Sequence, residues 1–231
     1  MPAMFDPWIP FAAPPWRLSG AVYGVLLNDP AALATLGDAV HQPPYKAPPN
    51  APVLYVKPRN TLAATGSATP VRPDVEAFEL GASLGLVVGR TACRVREAQA
   101  LSYLAGCTLV ADLSVPHDSF YRPNVRNKAR DGSCLVGPAV VPLASPDAAT
   151  LHVRVDDRLV QAASMAGMIR PATSLLADVS EFMTLQPGDV LMLGVKAGAP
   201  RVRAGQCFSI EAEGLGVLEG RLVPASAEVA A

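Results

Sequence analysis

Residues 105–132 read AGCTLVADLSVPHDSFYRPNVRNKARDG, and the fold turns on how this stretch divides. Gly106 to Ala111 is an apolar run of strand length, and the residues after it are dense in charge. Asp112, Asp118 and Asp131 stand among Arg122, Arg126, Lys128 and Arg130, with Phe120, Tyr121 and Pro123 between them. Only 17% of the 231 residues are charged, so such a gathering of cations, carboxylates and aromatics after a strand suggests a site for a small anion. The same residues also fit a solvated loop with ordinary ion pairs.

Strand signals continue on both sides. Upstream, Ala21, Tyr23, Val25 and Leu27 alternate with smaller residues, and Val53 to Lys57 forms a second strand that Pro58 ends. Lys57 sits at that strand's end, a place for a working side chain or for an edge-strand charge. Between the two strands, Asp29-Pro30 reads as an N-cap and first helical position, with Leu33, Leu36 and Val40 on one face of a short helix over 30–39. Residues 42–52 (QPPYKAPPNAP) are proline-rich and must form an extended loop. Leu84 to Gly89 (LGLVVG) has the unbroken apolar character of a fully buried strand. Residues 96–105 fit a helix, with Gly106 as its C-terminal stop.

Downstream, Thr150 to Asp156 alternates cleanly, with Leu151, Val153 and Val155 against His152 and Arg154. Leu175, Leu176, Val179 and Phe182 keep helical spacing over 173–183, and Pro187-Gly188-Asp189 turns into a strand over 190–193. Phe208, Ile210 and Ala212 alternate, and a last strand runs from Val217 to Val223. Short strands joined by 23 prolines and 18 glycines, with a few peripheral helices, predict an α+β fold that is mainly β. We expect a proline-rich arm over 1–19, either loose or docking its tryptophans on a neighbouring subunit, and one domain over 20–231.

Composition excludes several function classes. A net charge of −1 gives no footprint for nucleic acid or an anionic membrane, and no apolar run is long enough to span one. The four cysteines lack C-x-x-C spacing, and His41, His117 and His152 pair with none of them at zinc-ligand spacing. This predicts reduced thiols and a cytoplasmic location. No G-x-G-x-x-G, P-loop or G-x-S-x-G supports a nucleotide enzyme or serine hydrolase. The low charge fraction implies apolar surface buried against another chain.

Taken in order, KPRNT (57–61), LGLVVGR (84–90), AGCTLVADLS (105–114), FYRPNVRNKARDG (120–132) and SEFMTLQPGDVLMLG (180–194) resemble the fumarylacetoacetate hydrolase family. The resemblance covers roughly Gly20 to Val223 and implies that family's mixed β-sheet roll. PPYKAPP (43–49), KPRNT and SFYRP…RDG resemble more narrowly the amino-terminal half of the family's tandem-repeat decarboxylase/isomerases of homoprotocatechuate (4-hydroxyphenylacetate) breakdown. That implies decarboxylation of 5-oxopent-3-ene-1,2,5-tricarboxylate and isomerisation of 2-hydroxyhepta-2,4-diene-1,7-dioate. It also implies a homodimer, or a heteromer with a paralogous family subunit. The alternative is a non-catalytic binding subunit paired with a metal-bearing paralogue. Carbon–carbon bond hydrolysis has less support, because no histidine–glutamate dyad lies near Asn28.

The resemblance assigns Lys57, Lys128 and Arg130 as catalytic cations, and Tyr121, Arg122, Asp131 and Gln161 to the substrate. It also implies Mg2+ or Mn2+ held by two glutamates and an aspartate. Asp112 matches the aspartate, but Gly81 and Ser83 stand where the glutamates belong, and Glu76 and Glu79 are out of register. We therefore expect metal to be absent or weakly held, with Asp112 in ion pairs to Lys57 or Lys128. Val195-Lys196 replace a threonine–proline turn, and Pro116-His117 an arginine–aspartate pair.

Overall fold

The computed structural model describes residues 12–13, 16–17, 21–118, 120–121 and 124–225. In chain order the strands begin with β1 (Ala12–Ala13), β2 (Trp16–Arg17), β3 (Val22–Leu26), β4 (Val53–Lys57), β5 (Leu62–Ala64), β6 (Ala68–Val71) and β7 (Phe78–Val88). They continue with β8 (Leu104–Ser114), β9 (Cys134–Val136), β10 (Thr150–Val155), β11 (Arg158–Ser164), β12 (Val190–Met192), β13 (Arg201–Val202), β14 (Cys207–Ala212) and β15 (Gly216–Pro224). Among the described residues three α-helices, α1 (Pro30–Ala34), α2 (Val125–Lys128) and α3 (Ala172–Phe182), lie outside the sheets. The fold is α+β and mainly β, as the alternation predicts. Apart from the β1–β2 ribbon, the N-terminal arm falls outside the described residues.

The larger sheet runs β4-β3-β12-β7-β8-β9-β5, with β13 on the end of β7, and the smaller runs β11-β10-β14-β15-β6. The outermost strands of the larger sheet, β4 and β5, are separated by only residues 58–61. Laid flat, six inter-strand steps would place them roughly 29 Å apart. The chain from Lys57 to Leu62 can span at most about 18 Å. The sheet therefore has to curl until its two edges meet, and Lys57 lies in the seam.

Small side chains make the curl feasible. On β7, Leu80, Ala82, Leu84 and Leu86 pack outward against Val153, Phe208, Ile210 and Leu218 of the second sheet, and against Leu175, Leu176 and Val179 of α3. The alternate positions Gly81, Ser83 and Gly85 face into the roll. Added to Gly85, a Cβ would sit 2.8 Å from Val190 and 2.9 Å from Val110. Inside the roll Val22, Val87, Val110, Val136 and Val190 form a second, smaller core.

Several elements depart from the sequence reading. The helix expected over 30–39 divides into α1, capped by the Asp29 side chain, and a 3-10 turn over Gly37–His41. In place of a helix over 96–105 there is a 3-10 helix, Glu97–Tyr103, and β8 already begins at Leu104. Gly106 is therefore a strand residue rather than a helix stop. Its φ is +157°, and a Cβ there would lie 2.6 Å from the Val141 carbonyl carbon. LGLVVG is only the end of an eleven-residue strand. Phe182 stands 63% exposed as the last residue of α3, although it shares the helix face of the buried Leu175 and Val179. Among the described residues, no helix is long and apolar enough to cross a membrane.

Gly106→Ala forces a side chain into backbone that cannot retreat, so a urea melt should show a loss of about 2–3 kcal/mol. Gly66→Ala tests the contrast. Gly66 has a φ of +82° but open space around it, so strain alone should cost about 1 kcal/mol there.

Candidate functional site

The seam of the roll is polar. Tyr55 and Lys57, two apart on β4, project to the same face. Gly24, paired with Tyr55 on β3, leaves room for the phenol ring, which occupies the space a Cβ would need. From β8, Asp112 points inward on the same face as Val110, directly opposite Gly81 in register. The short helix α2 brings Lys128 in from the charged loop. Asp112 Oδ1 receives the Lys57 ammonium at 2.6 Å and the Ser114 hydroxyl at 3.1 Å. Its Oδ2 receives the Lys128 ammonium at 2.9 Å and the Tyr55 hydroxyl. Lys57 also donates to the carbonyls of Lys128 at 2.6 Å and Leu113 at 2.9 Å. The Lys128 Nζ stands 4.4 Å over the Tyr55 ring.

Burial raises the Asp112 carboxyl, but the Lys128 and Lys57 charges, with the Lys57 and Tyr55 hydrogen bonds, hold it well below the usual carboxylate range. For Tyr55, burial and then the Asp112 charge push the phenol well above its ordinary value, so it remains a neutral donor. Two ammoniums face one carboxylate, leaving a surplus of one positive charge. Cys134 packs nearby with its thiol raised to about 12, chiefly by burial, and serves as neutral filler. It, Cys107, Cys93 and Cys207 are all free thiols.

Lys57 is fully buried, not the edge-strand charge its position also allowed, because the curl covers the edge it occupies. Lys128 is 8% exposed and, with Tyr55, opens onto a cleft of about 480 Å3. Glu79, His117, Phe120, Lys196 and Arg201 also line it. The 42–52 loop closes on the charged stretch through a hydrogen bond from the Phe120 N–H to the Tyr45 hydroxyl at 2.9 Å.

The remaining expected site residues are dispersed. Arg130 and Asp131 line a separate hollow of about 150 Å3 with Pro70, Val75 and Phe78. Arg130 faces Asp74 at 3.6 Å, and Asp131 accepts from Asn60 at 2.6 Å. The chain turns after α2, so the residues two and three past Lys128 line a different hollow from it. Tyr121 is half exposed and packs edge-on against Tyr45. Gln161 supports the cleft wall from behind, donating to the Ala197 carbonyl at 3.2 Å. Arg122 lies outside the described residues. Tyr55 was missed by sequence reasoning, although its spacing of two from Lys57 was a legible signal.

The residues around Asp112 do not fit a divalent cation. Both carboxylate oxygens are occupied by ammonium and hydroxyl donors. The space beyond Gly81 is filled by Val195, whose methyl would lie 2.8 Å from a Cβ there. Ser83 accepts from the Gly194 N–H. Glu76 is exposed and bound to Arg203, and Glu79 pairs in register with Ser114 rather than Asp112. Among the described residues, no three His, Cys, Asp or Glu side chains are grouped to hold a metal.

Comparison with known proteins agrees with this architecture. The fumarylacetoacetate (FAA) hydrolase C-terminal family matches residues 21–223. The chain is 38% identical over 206 residues to the 4-hydroxyphenylacetate degradation bifunctional isomerase/decarboxylase of Escherichia coli, covering 89% of this chain and 48% of that one. It thus spans about half that relative's length. The crystal structure of 2-hydroxyhepta-2,4-diene-1,7-dioate isomerase from Mycobacterium marinum superposes with a TM-score of 0.75 at 25% identity, over 90% of this chain and 76% of that one. A fumarylpyruvate hydrolase from Pseudomonas aeruginosa, solved with Mn2+ and pyruvate, shares the fold with a TM-score of 0.76 at 22% identity, over 91% of each chain.

Asp112 ties the seam to pH. Its carboxyl is lowered on folding, so its stabilisation is complete above the unfolded value of about 3.9 and drains away as pH falls below it. Asp112→Asn leaves two buried ammoniums facing no charge and should cost about 3–5 kcal/mol at pH 7. Denaturant melts from pH 7 to 2 should show this gap narrowing in acid, the wild type losing stability that the variant never had.

Proposed function

The chain belongs to the fumarylacetoacetate hydrolase family, and from that premise we propose that it is a decarboxylase/isomerase subunit of homoprotocatechuate catabolism. Its substrates are 5-oxopent-3-ene-1,2,5-tricarboxylate for decarboxylation and 2-hydroxyhepta-2,4-diene-1,7-dioate for isomerisation. The observation that carries this reading is the surplus positive charge of the Lys57–Asp112–Lys128 trio, presented to the cleft through Lys128. A ligand that gathers negative charge during reaction is what such a surplus favours.

In the tricarboxylate, one carboxylate sits on the carbon vinylogous to the 2-oxo group. When its C–C bond breaks, CO2 departs and the electron pair delocalises through the double bond to the 2-oxo oxygen. The Lys128 ammonium stands where it can stabilise that dienolate. Protonation on oxygen gives the hydroxydienedioate. Isomerisation then removes the oxygen-bound proton and returns one to carbon, through the same dienolate. Lys57 is sealed from the cleft, so its part is positional: it fixes Asp112 and the Lys128 carbonyl and thereby aims Lys128. Arg130 and Asp131 have no place at the reacting centre in this scheme.

A second reading is a non-catalytic partner for a metal-bearing paralogue in a heteromer, favoured by Gly81 and Ser83 and by the lysines on Asp112. The two part on turnover. The purified chain should release CO2 from the tricarboxylate unaided, and Lys128→Met should lower kcat/KM by roughly 100-fold or more, with Arg130→Met near wild type. Turnover only with an added paralogue would favour the second reading.

The trio also makes a metal dispensable at Asp112 in this scheme. Calorimetric titration with Mg2+ or Mn2+ should give no stoichiometric micromolar binding. Such binding, lost in Asp112→Ala, would mean that the lysines yield to the metal.

A further inference from the structure

The cleft contains a second cation built in the same way as the first. At the seam a buried aspartate, Asp112, holds the Lys128 ammonium at the cleft surface. On the wall formed by residues 195–199, the Lys196 ammonium lies 2.6 Å from Oδ1 of Asp29, which is also only 1% exposed. Asp29 is otherwise committed: its Oδ2 accepts the N–H groups of Ala197 at 2.8 Å and Ala32 at 3.2 Å. It thus fastens α1 to the 195–199 turn and fixes the lysine between them. The Lys196 side chain keeps 23% exposure. An ammonium has three N–H donors, and no other partner for this one occurs among the described residues. Two donors remain for a ligand.

The pairing also explains how a cation can wait there at little cost. Asp29 and Lys196 neutralise each other, so the pair itself adds no net charge to the cleft. An incoming carboxylate can share the ammonium without displacing Asp29, as a charge-assisted hydrogen bond in a partly dry site.

We propose that Lys196 is a second carboxylate anchor, which makes the cleft selective for 2-oxo acids bearing another carboxylate at the far end of the chain. This rests on the reading of the site as one for 2-oxo acids, with Lys128 at the reacting end.

The test is calorimetric binding of two saturated seven-carbon probes, 2-oxopimelate, which has the distal carboxylate, and 2-oxoheptanoate, which lacks it. The wild type should bind 2-oxopimelate at least roughly tenfold more tightly. Lys196→Met keeps the aliphatic stem and should abolish that preference while leaving 2-oxoheptanoate binding unchanged. Should that variant fail to fold around an unpaired Asp29, the double variant Asp29→Asn/Lys196→Met restores a neutral pair, and the same preference is read. A preference that survives the loss of the ammonium, an equal loss for both probes, or no preference in the wild type overturns the proposal. Tricarboxylate turnover by the same wild-type sample is scored separately. Absent turnover with an intact, Lys196-dependent preference removes the decarboxylase assignment and keeps the anchor. Turnover without preference removes the anchor alone.

Discussion

A carboxylate inside a rolled sheet has to be neutralised where it stands, and Asp112 is. Burying an ion costs several kcal/mol unless partners replace its water. Here four donors do so: two ammoniums, a phenol and a hydroxyl. They come from β4, β8 and α2, elements that the curl of the sheet brings to one point. The trio is therefore a clasp as well as a site. It joins the edge strand β4 to the central strand β8 across the closure of the roll.

The same geometry decides what the seam can hold. Gly81 and Ser83 on β7 give the interior no carboxylate beside Asp112, and Val195 fills the room a longer side chain at 81 would need. A divalent cation would find both Asp112 oxygens already taken. What the seam offers instead is one unit of excess positive charge, sealed on the Lys57 side and open to the cleft at Lys128. Lys57, for its part, sets the position of its neighbour by donating to the Lys128 carbonyl.

The cleft is assembled from pieces far apart in sequence. Its walls join the strand end at Tyr55, the loop at His117 and Phe120, and the turn at Lys196 and Ala197. Each piece is held from behind. Tyr45 secures the Phe120 backbone, Gln161 the Ala197 carbonyl, and Asp29 the Lys196 ammonium. His117 is fixed through Nδ1 to the Val115 carbonyl at 3.0 Å. Gln161, which the sequence reading assigned to the ligand, bonds in this structure to the Ala197 carbonyl of that wall.

The alternation of Leu151, Val153 and Val155, the proline and glycine punctuation and the Asp29-Pro30 cap were all decided locally, so the sequence determined strands such as β10, the start of α1 and the mainly β class. The order of motifs likewise carried the family. The pairing of Lys57 and Lys128 with Asp112 was within reach because the resemblance put all three at one site. Tertiary structure alone decided that Arg130 and Asp131, two and three residues past Lys128, face a different hollow. It alone placed Lys57 in the interior, where a lone strand-end lysine reads as solvated. Only the fold, too, extended β8 back to Leu104, since its long pairing with β7 outweighs the helical propensity of the residues before Gly106. The physical reason is common to all three. Side-chain direction at a turn, the burial of an edge and the length of a strand depend on which distant strand lies alongside. Here that is settled by a four-residue connection too short to let the sheet stay open.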